Sequence, residues 1–572
     1  MSTRRRPDAR WVQAAAPDAA TAEALSAALG LPLPLARVLV GRGHATEAAA
    51  KRYLRPDLAH VADPSLMAGM ADAVDRLMRA VRTGETVMVH GDYDVDGICS
   101  TALMTRTLRA LGATVVPFIP SRQTDGYDLG PAGVAAAVKA GASLVLTCDC
   151  GTTAVAAGDA LADAGIDLIV SDHHLPGPAL PRAVAILNPR RHDDTSPDKD
   201  LAAVGVAYKL ATALTRAMGG NLNVVLNQLD LVALATVADV APLRGENRVF
   251  VRRGLAVMRE TKNLGLRALI RSAALDGKEI TAGRVGFILA PRLNALGRMD
   301  RAIMGVELLL AETDDAALAI ARHCEERNRE RQELDRAMLD DVMRRVDALD
   351  LDATWAIALA DERWHAGVIG IVASRVVEQT ARPAFLVAVK DGVGKGSGRS
   401  IPAFDLHAAL EACGDLLIKH GGHRAAAGLT IDANRMPDFA ERFNAVARER
   451  LTPADLTRTV HVDLELPVAE ATSDLERLMR HLEPFGVGNP GPTFSARGVR
   501  VATTAARIGA DGVKFMVATP AGAVEAVGWG MADRAPLLAP GKAVDLAYRI
   551  ERNVFRGTET LQLGVVDVRA AG

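Results

Sequence analysis

Three things are scarce in this chain: aromatic rings, cysteine, and an excess of charge of one sign. Phe, Trp and Tyr make up 3% of its 572 residues, which excludes a binding surface built mainly from stacked rings. Lys plus Arg number 67 against 69 Asp plus Glu, a net charge of −2, so no chain-wide positive field exists to hold a polyanion and any nucleic-acid contact has to be local. The five cysteines, Cys99, Cys148, Cys150, Cys324 and Cys413, are odd in number and irregularly spaced. That suits neither a disulfide framework nor a four-ligand zinc site, and they read as reduced thiols. No apolar run is long enough to span a bilayer, and no signal-peptide core follows the opening MSTRRRPDAR. The expectation is a cytoplasmic protein with no membrane contact.

What is present is an ordinary globular mixture, 49% apolar and 24% charged, in a chain long enough for roughly three to four domains. Residues 85–240 alternate short β-like runs (86–90, 143–148, 167–171) with Ala-rich helical stretches, the pattern of a parallel α/β sheet. Residues 316–350 form one long helical pattern, apolar at both ends and polar nearly all round over EERNRERQELDR (325–336). A helix that loses its apolar face in the middle reads as a bridge between domains. A second α/β unit follows at about 351–450, with strands at 355–360 and 384–389 and helices around 368–380 and 405–419. From about 458, alternating apolar and polar runs between Gly and Pro turns predict a small antiparallel barrel or sandwich.

The segment VHGDYDVDGICS (89–100) lies directly after a strand and before a helix. In an extended stretch Asp92, Asp94 and Asp96 face one side, and charges that close repel unless a cation sits among them. His90 offers a nitrogen ligand. The strand ending at Cys148 runs into Asp149, the next into Ser171-Asp172-His173-His174, and Asp239 follows the apolar run 231–237. Singly, each has a structural reading: Asp149 as a helix cap, either histidine as a core residue, Asp239 as a turn former. Together, four segments aim acids and imidazoles at the carboxyl end of one sheet, where α/β proteins bind ligands. An oxygen-rich shell with one or two imidazoles suits Mn²⁺ or Mg²⁺ better than structural zinc. The ligands are too many for one ion, so two divalent cations sharing a carboxylate are expected. Such a pair serves in-line displacement at phosphorus, and phosphoester hydrolysis is the chemistry favoured.

Phosphate donors are also in the text. PRLNALGRM (291–299) groups Arg292, Asn294 and Arg298, suited to bidentate phosphate contacts. GVGKGSGRS (392–400) and GGHRAAAG (421–428) read as Gly-rich turns whose N–H groups approach a phosphate, with Lys395, Ser397, Arg399 and His423 as adjacent donors.

HGDYDVDG, the Asp149 strand end, SDHH and the Asp239 segment resemble the four signatures of the DHH phosphoesterase superfamily. From about residue 30 onward the chain resembles its RecJ family of bacterial single-strand-specific exonucleases. The resemblance implies one metal on His90, Asp94 and Asp149 and a second on Asp96, Asp149, His173 and Asp239. Asp149 would bridge, Asp92 would act as an orienting acid, and His174 would touch the scissile phosphate. Where the family more often has Asn, this chain has Cys150. Arg122 and the 291–299 segment would line the DNA-binding wall. Trp364-His365 with the two Gly-rich segments resembles the DHHA1 domain, placing a 5′ phosphate near Ser397, Arg399 and His423. PFGVGNPGPTF (484–494) looks like the leading signature of an OB-fold module, to which Arg507, Lys514, Arg549, Arg552 and Arg556 would lend charge.

The resulting expectation is an N-terminal helical arm (1–55), a DHH catalytic domain (56–312), a connecting helix (313–350), a DHHA1 domain (351–452) and an OB-like β-barrel (453–572). The function implied is a 5′→3′ exonuclease on single-stranded DNA that releases 5′ mononucleotides in repair and recombination. It would be a monomer, working with single-strand-binding protein and a RecQ-type helicase. The alternatives are a short-oligonucleotide or cyclic-dinucleotide phosphodiesterase, and a catalytically degenerate DNA-binding scaffold.

Overall fold

Apolar runs without alternation belong to strands covered on both faces, and the strands of the catalytic region are of that kind. In the computed structural model, which describes residues 8–122, 124–555 and 557–572, two units separate. One comprises Leu54–Arg331 with Glu483–Pro490, the other Met1–Tyr53, Gln332–Leu482 and Gly491–Gly572.

The first unit runs α1 (Met70–Thr83), β1 (Thr86–Gly91), α2 (Val95–Ala110), β2 (Thr114–Phe118), α3 (Pro131–Lys139), β3 (Leu144–Cys148), α4 (Val155–Asp163), β4 (Asp167–Ser171), β5 (Ala185–Leu187), α5 (Ala203–Ala217), α6 (Leu229–Ala238), α7 (Gly245–Met258) and α8 (Ala290–Met299). Its five strands are parallel, in the order β2-β1-β3-β4-β5. Alternate residues feed two cores. Val87, Val89, Leu144, Leu146 and Ile169 pack on the side of α1, α2, α5 and α6. Met88, Val145, Leu168 and Val170 pack on the side of α3 and α4. The strand order reverses at β1, so the crevice beyond the carboxyl ends of β1 and β3 is the ligand position for this topology.

Helix α9 (Asp314–Asp347) is 34 residues long, which at about 1.5 Å each is roughly 50 Å. Ala317, Ala321 and Cys324 join the core of the first unit, and Met338, Val342 and Val346 a core of the second. The polar middle is not simply solvated: Asn328 and Asp335 are buried, and Asp335 pairs with Arg375 at 2.9 Å.

In the second unit, β6 (Ile357–Asp361), α10 (Ile369–Thr380), β7 (Ala384–Lys390), β8 (Val393–Arg399), β9 (Leu417–Gly422), β10 (Ala426–Asp432) and α11 (Met436–Arg450) build a five-stranded sheet ordered β9-β10-β8-β7-β6. Here one expectation fails. GVGKGSGRS is not a phosphate-cradling turn but lies largely in the central strand β8, whose backbone pairs with both β7 and β10. Its glycines answer to packing. A Cβ on Gly398 would lie 2.5 Å from the Phe385 ring, and one on Gly396 would lie 2.7 Å from Leu429. Lys395, Ser397 and Arg399 share the other face by the two-residue period of a strand. The predicted helix at 405–419 is likewise shorter, Leu406–Glu411, and yields to β9.

The C-terminal sheet contains β11 (Leu464–Glu465), β12 (Phe494–Arg500), β13 (Ala506–Ile508), β14 (Gly512–Thr519), β15 (Gly522–Gly528), β16 (Ala543–Phe555) and β17 (Thr558–Ala570), ordered β11-β12-β16-β17-β15-β14-β13. It is mixed rather than wholly antiparallel, since β11/β12 and β15/β17 are parallel pairs. A bridge between Val501 and Val517 links β14 to the chain just past β12. Of the basic residues expected to serve DNA here, Lys514 is paired with Glu525 and Arg552 with Glu559, both at 2.5 Å. Arg556 lies outside the described residues. The N-terminal arm is not purely helical: the strand Arg10–Gln13 pairs in parallel with Thr459–Val462, and Trp11 Nε1 donates to Asp567 at 2.7 Å.

Gly398→Val should destabilise the protein by about 1–3 kcal/mol through overpacking against Phe385. Chemical denaturation is the check, with Mn²⁺ affinity at the acidic cluster of the first unit left unchanged.

Candidate active site

Three of the strand ends build the floor of the site in the same way. The residue after each strand is an aspartate whose backbone N–H bonds to the neighbouring strand: Asp92 to Cys148 O at 3.3 Å, Asp149 to Ser171 O at 2.9 Å, and Asp172 to Leu187 O at 3.0 Å. Beyond β1 the chain does not stay extended. Asp94 caps α2, its Oδ1 accepting from the N–H groups of Asp96 (2.8 Å) and Gly97 (3.2 Å). Asp96 lies in the first helical turn and accepts from Ala203 N (2.8 Å) and Val204 N (2.9 Å), the start of α5. Helix caps, not strand alternation, therefore place these two acids. Asp239 likewise follows a helix, α6, rather than a strand; a carboxylate at a helix C-terminus meets the negative end of the dipole and calls for a cation.

The acids and histidines fall into three overlapping groups with ligand atoms within 4.8 Å of one another: Asp92, Asp94 and Asp149; Asp96, His173 and Asp239; Asp149, His173 and His174. Asp149 belongs to two of them. Among the described residues His90 belongs to none. It is the last inward-facing side chain of β1, fully buried, with Phe118 at 5.3 Å and Cys150 Sγ 3.5 Å from its Nδ1. A Cβ on Gly133 would lie 2.7 Å from its Nε2. Asp92 occupies the place expected for His90, because it sits one step past the strand end while His90 still faces the sheet's packing. Cys150 is the packing partner of that histidine.

The donor set fits divalent cations. Asp149 Oδ1 and Asp92 Oδ1 are buried without hydrogen-bond partners, a costly arrangement unless a cation receives them. Asp149 itself is held at φ +67°. His173 Nδ1 lies 3.2 Å from Leu201 O and donates to it, which leaves the Nε2 lone pair facing Asp149 Oδ1 at 3.3 Å. That is the second-atom bond that fixes a ligating imidazole. Without a cation, burial and mutual repulsion push the carboxyls of Asp92, Asp149 and Asp239 well above the usual range and Asp96 to about 7. Burial lowers His173 to about 4, so it is neutral and able to bind metal.

Sequence reasoning assigned no role to Asp172, Asn188 or Tyr127. Asp172 Oδ1 accepts from His174 Nδ1 at 2.8 Å and from the backbone of both histidines, while Oδ2 accepts from Thr152 N. Burial works against a charged His174, but the bond to Asp172 and the surrounding acids prevail and raise it to about 9. Asn188 Nδ2 donates to His174 O at 2.8 Å, and Tyr127 Oη lies 3.0 Å from His174 Nε2. The DHH text itself held the signal for Asp172, since the acid precedes two histidines it can hold by a local turn.

The phosphate-side residues divide. Arg122 lies over the Tyr93 ring at 4.9 Å, and α8 passes so close to Tyr93 that a Cβ on Gly297 would meet its carbonyl oxygen at 2.2 Å. Both Arg122 and Arg298 act electrostatically on Tyr93, and Asn294 is half-buried on the same helix. Arg292 has a different partner. Its guanidinium binds Glu325 through Nε (2.6 Å) and Nη2 (3.2 Å), and Ile288 O through Nη1, so it braces α8 against α9. In the second unit, Arg399 Nη1 donates to Ser397 Oγ at 3.2 Å. Gly370, at the start of α10, lets both approach: a Cβ there would lie 2.8 Å from Ser397 Oγ and 3.0 Å from Arg399 Nη2. His365 Nδ1 accepts from Gly367 N just before that helix. His423 is in the exposed β9–β10 turn, whose Ala426 pairs with Arg399. Lys395 lies four residues back along β8, about 13 Å away.

Residues 86–236 match the DHH family, N-terminal domain, 352–449 the DHHA1 domain and 462–567 the RecJ OB domain. The single-stranded-DNA-specific exonuclease RecJ of Dickeya dadantii (strain 3937) is 37% identical over 555 residues, 93% of this chain and 95% of that protein. The chain belongs to the RecJ family. Two solved structures of RecJ from Thermus thermophilus share its fold over 99% of its length. The one in complex with Mn²⁺ has a TM-score of 0.85 and 34% identity and is covered to 80%; the one in complex with Mg²⁺ has 0.79 and 32% and is covered to 79%.

The raised carboxyls give metal binding a pH dependence. A carboxyl raised above its unfolded value of 3.8 adds stability to the cation-free protein below that value, and the contribution is lost as pH rises through its folded value, about 7 for Asp96. A cation displaces these protons, so its binding strengthens over the same interval. The increase in Tm on adding Mn²⁺ should therefore be larger at about pH 8 than at about pH 5.5, by differential scanning fluorimetry; a larger increase at the lower pH contradicts the assignment.

Proposed function

We propose that the protein is a single-stranded-DNA-specific exonuclease that hydrolyses phosphodiester bonds from the 5′ end and releases 5′ mononucleotides, acting in DNA repair and recombination. The observation that carries this reading is the convergence of Asp92, Asp94, Asp96, Asp149, His173 and Asp239 around partnerless carboxylate oxygens, in a chain of the RecJ family.

Two divalent cations, Mn²⁺ or Mg²⁺, are the cofactor. Asp92, Asp94 and Asp149 would hold one, and Asp96, His173 and Asp239 the other, with Asp149 shared. When bound, such a pair supplies an activated water and neutralises charge on the attacking and leaving oxygens. The chain's own groups do the rest. His174, whose bond to the Asp172 carboxylate favours the charged ring, presents a ring N–H to a phosphate oxygen while Asp172 fixes its orientation. Arg122, Asn294 and Arg298 line the approach of the strand beside Tyr93. Ser397, Arg399 and His365 lie at the start of α10, where helix N–H groups favour an anion; this end takes the 5′ phosphate, with His423 of the β9–β10 turn as a further donor, and Lys395 follows the backbone further along β8.

The C-terminal OB domain favours long strands over dinucleotides as substrates. Single-strand-binding protein and a RecQ-type helicase are the proposed partners of a monomeric, cytoplasmic enzyme.

Asp149→Ala should reduce hydrolysis of single-stranded DNA in Mn²⁺ by roughly 10³-fold or more while leaving most DNA affinity, because it removes the shared carboxylate and spares the basic residues. A gel assay with the wild type alongside decides this; near-normal turnover refutes the shared-ligand assignment, and an inactive wild type refutes the nuclease reading. Arg399→Ala should weaken binding of 5′-phosphorylated ends more than unphosphorylated ones, by roughly tenfold for one lost charge-assisted contact. Equal losses in a fluorescence-anisotropy titration remove the end-recognition role.

A further inference from the structure

Arg190 stands on the same loop system as the two histidines, two residues beyond β5 and its following Asn188. Its backbone N–H donates to Asn188 Oδ1 at 2.9 Å, and the same Asn188 side chain donates to His174 O at 2.8 Å. At its other end, the guanidinium Nε donates to Lys199 O at 3.4 Å. Lys199 lies two residues before Leu201, whose carbonyl holds the His173 ring. Arg190 is thus tied at one end to the segment that carries His174 and at the other to the segment that orients His173.

Its charge reaches the cluster: it acts on both His173 and Asp239. Yet it forms no ion pair among the described residues, and Nε makes its one side-chain hydrogen bond there. Both terminal NH₂ groups are left as donors. A half-buried arginine anchored through Nε, beside acids that it does not neutralise by contact, has the form of a clamp for an anion that arrives with the substrate.

We propose that Arg190 is a substrate-binding residue that holds a non-bridging phosphate oxygen of the DNA strand on the His173–Asp239 side of the site. This rests on the exonuclease reading above. The arginine would receive the phosphate through its two NH₂ groups, and lysine, a point charge, would keep the attraction without the fork.

The test compares wild type, Arg190→Ala and Arg190→Lys. Binding of a 3′-fluorescent oligodeoxythymidylate is followed by anisotropy in Ca²⁺ over a salt series, with strand integrity checked on a gel, and turnover is measured separately in Mn²⁺. Loss of one phosphate contact on a single strand should lower the magnitude of the log K against log salt slope by about 0.7. Arg190→Ala should show that decrease together with at least a tenfold fall in kcat/KM, and Arg190→Lys should retain the wild-type slope. Mn²⁺ affinity without DNA, from isothermal titration, should not weaken in either variant. An unchanged slope in Arg190→Ala overturns the proposal. So does an effect confined to tighter Mn²⁺ binding, which would make Arg190 only a counter-charge to Asp239. A wild type that leaves the strand intact in Mn²⁺ fails the nuclease reading instead, and the binding slopes still decide whether Arg190 touches phosphate.

Discussion

Mutual repulsion among buried carboxylates is the constraint on which the catalytic unit depends. Asp92, Asp96 and Asp149 are almost completely buried, and two of them keep an oxygen without any hydrogen-bond partner. No protein designed for stability alone would gather them, since each like-charge neighbour in a poorly solvated site costs free energy. The fold tolerates the gathering because backbone dipoles stabilise part of it: the start of α2 at Asp94, the start of α5 at Asp96. Those N–H groups bind one oxygen of Asp94 and each oxygen of Asp96 once, and the lone pairs left over remain for a cation. Protons or multivalent cations supply the rest.

This arrangement explains why the histidines differ. His173 and His174 are adjacent in sequence and their rings lie 4.6 Å apart, yet one is driven to about 4 and the other to about 9. Burial works against charge on both rings, and the charge of His174 lowers His173 further; what sets His174 apart is the partner of its Nδ1. A carbonyl, Leu201 O, fixes the tautomer of His173 without stabilising its charge, whereas the carboxylate of Asp172 stabilises the imidazolium of His174. One residue becomes a neutral ligand and its neighbour a cationic donor, a division of roles made by environment.

The parallel sheet, the bridging helix and most of the acidic cluster were legible in the sequence because each depends on local pattern, whereas the order of the strands was not. Continuous apolar runs mark buried parallel strands, and an acid at a strand's end is visible as text. What failed depends on distance. His90 looked like a ligand because it stands four residues before Asp94, but its direction is set by the pleat of β1 and by the space Gly133 leaves for it. The Gly-rich segment of the second unit looked like a phosphate turn, yet Phe385 and Leu429, remote in sequence, explain its glycines. Arg292 could not be distinguished from Arg298 until Glu325 was placed beside it. Asp172 lay within a motif already singled out and was missed because only its histidines were weighed.

The last acid of the cluster shows how far from the chemistry its geometry is secured. Asp239 is followed by Val240 at φ +61°, a left-handed conformation costing a β-branched residue on the order of 1–3 kcal/mol. Such strain persists only where the surroundings over-determine it. The surroundings here include Glu483–Pro490, a segment distant in sequence that belongs to the same unit. Leu243 N donates to Val487 O at 2.7 Å, and Arg248 donates to Glu483 O at 3.0 Å. Gly486 and Gly488 lie so near that added Cβ atoms would meet Leu243 at 2.7 Å and Pro242 at 2.9 Å. A turn that α6 alone would leave free to relax is thereby fixed from its far side. The PFGVGNPG text, read in sequence as the opening of a β-module, acts structurally as a brace for the residues that follow Asp239.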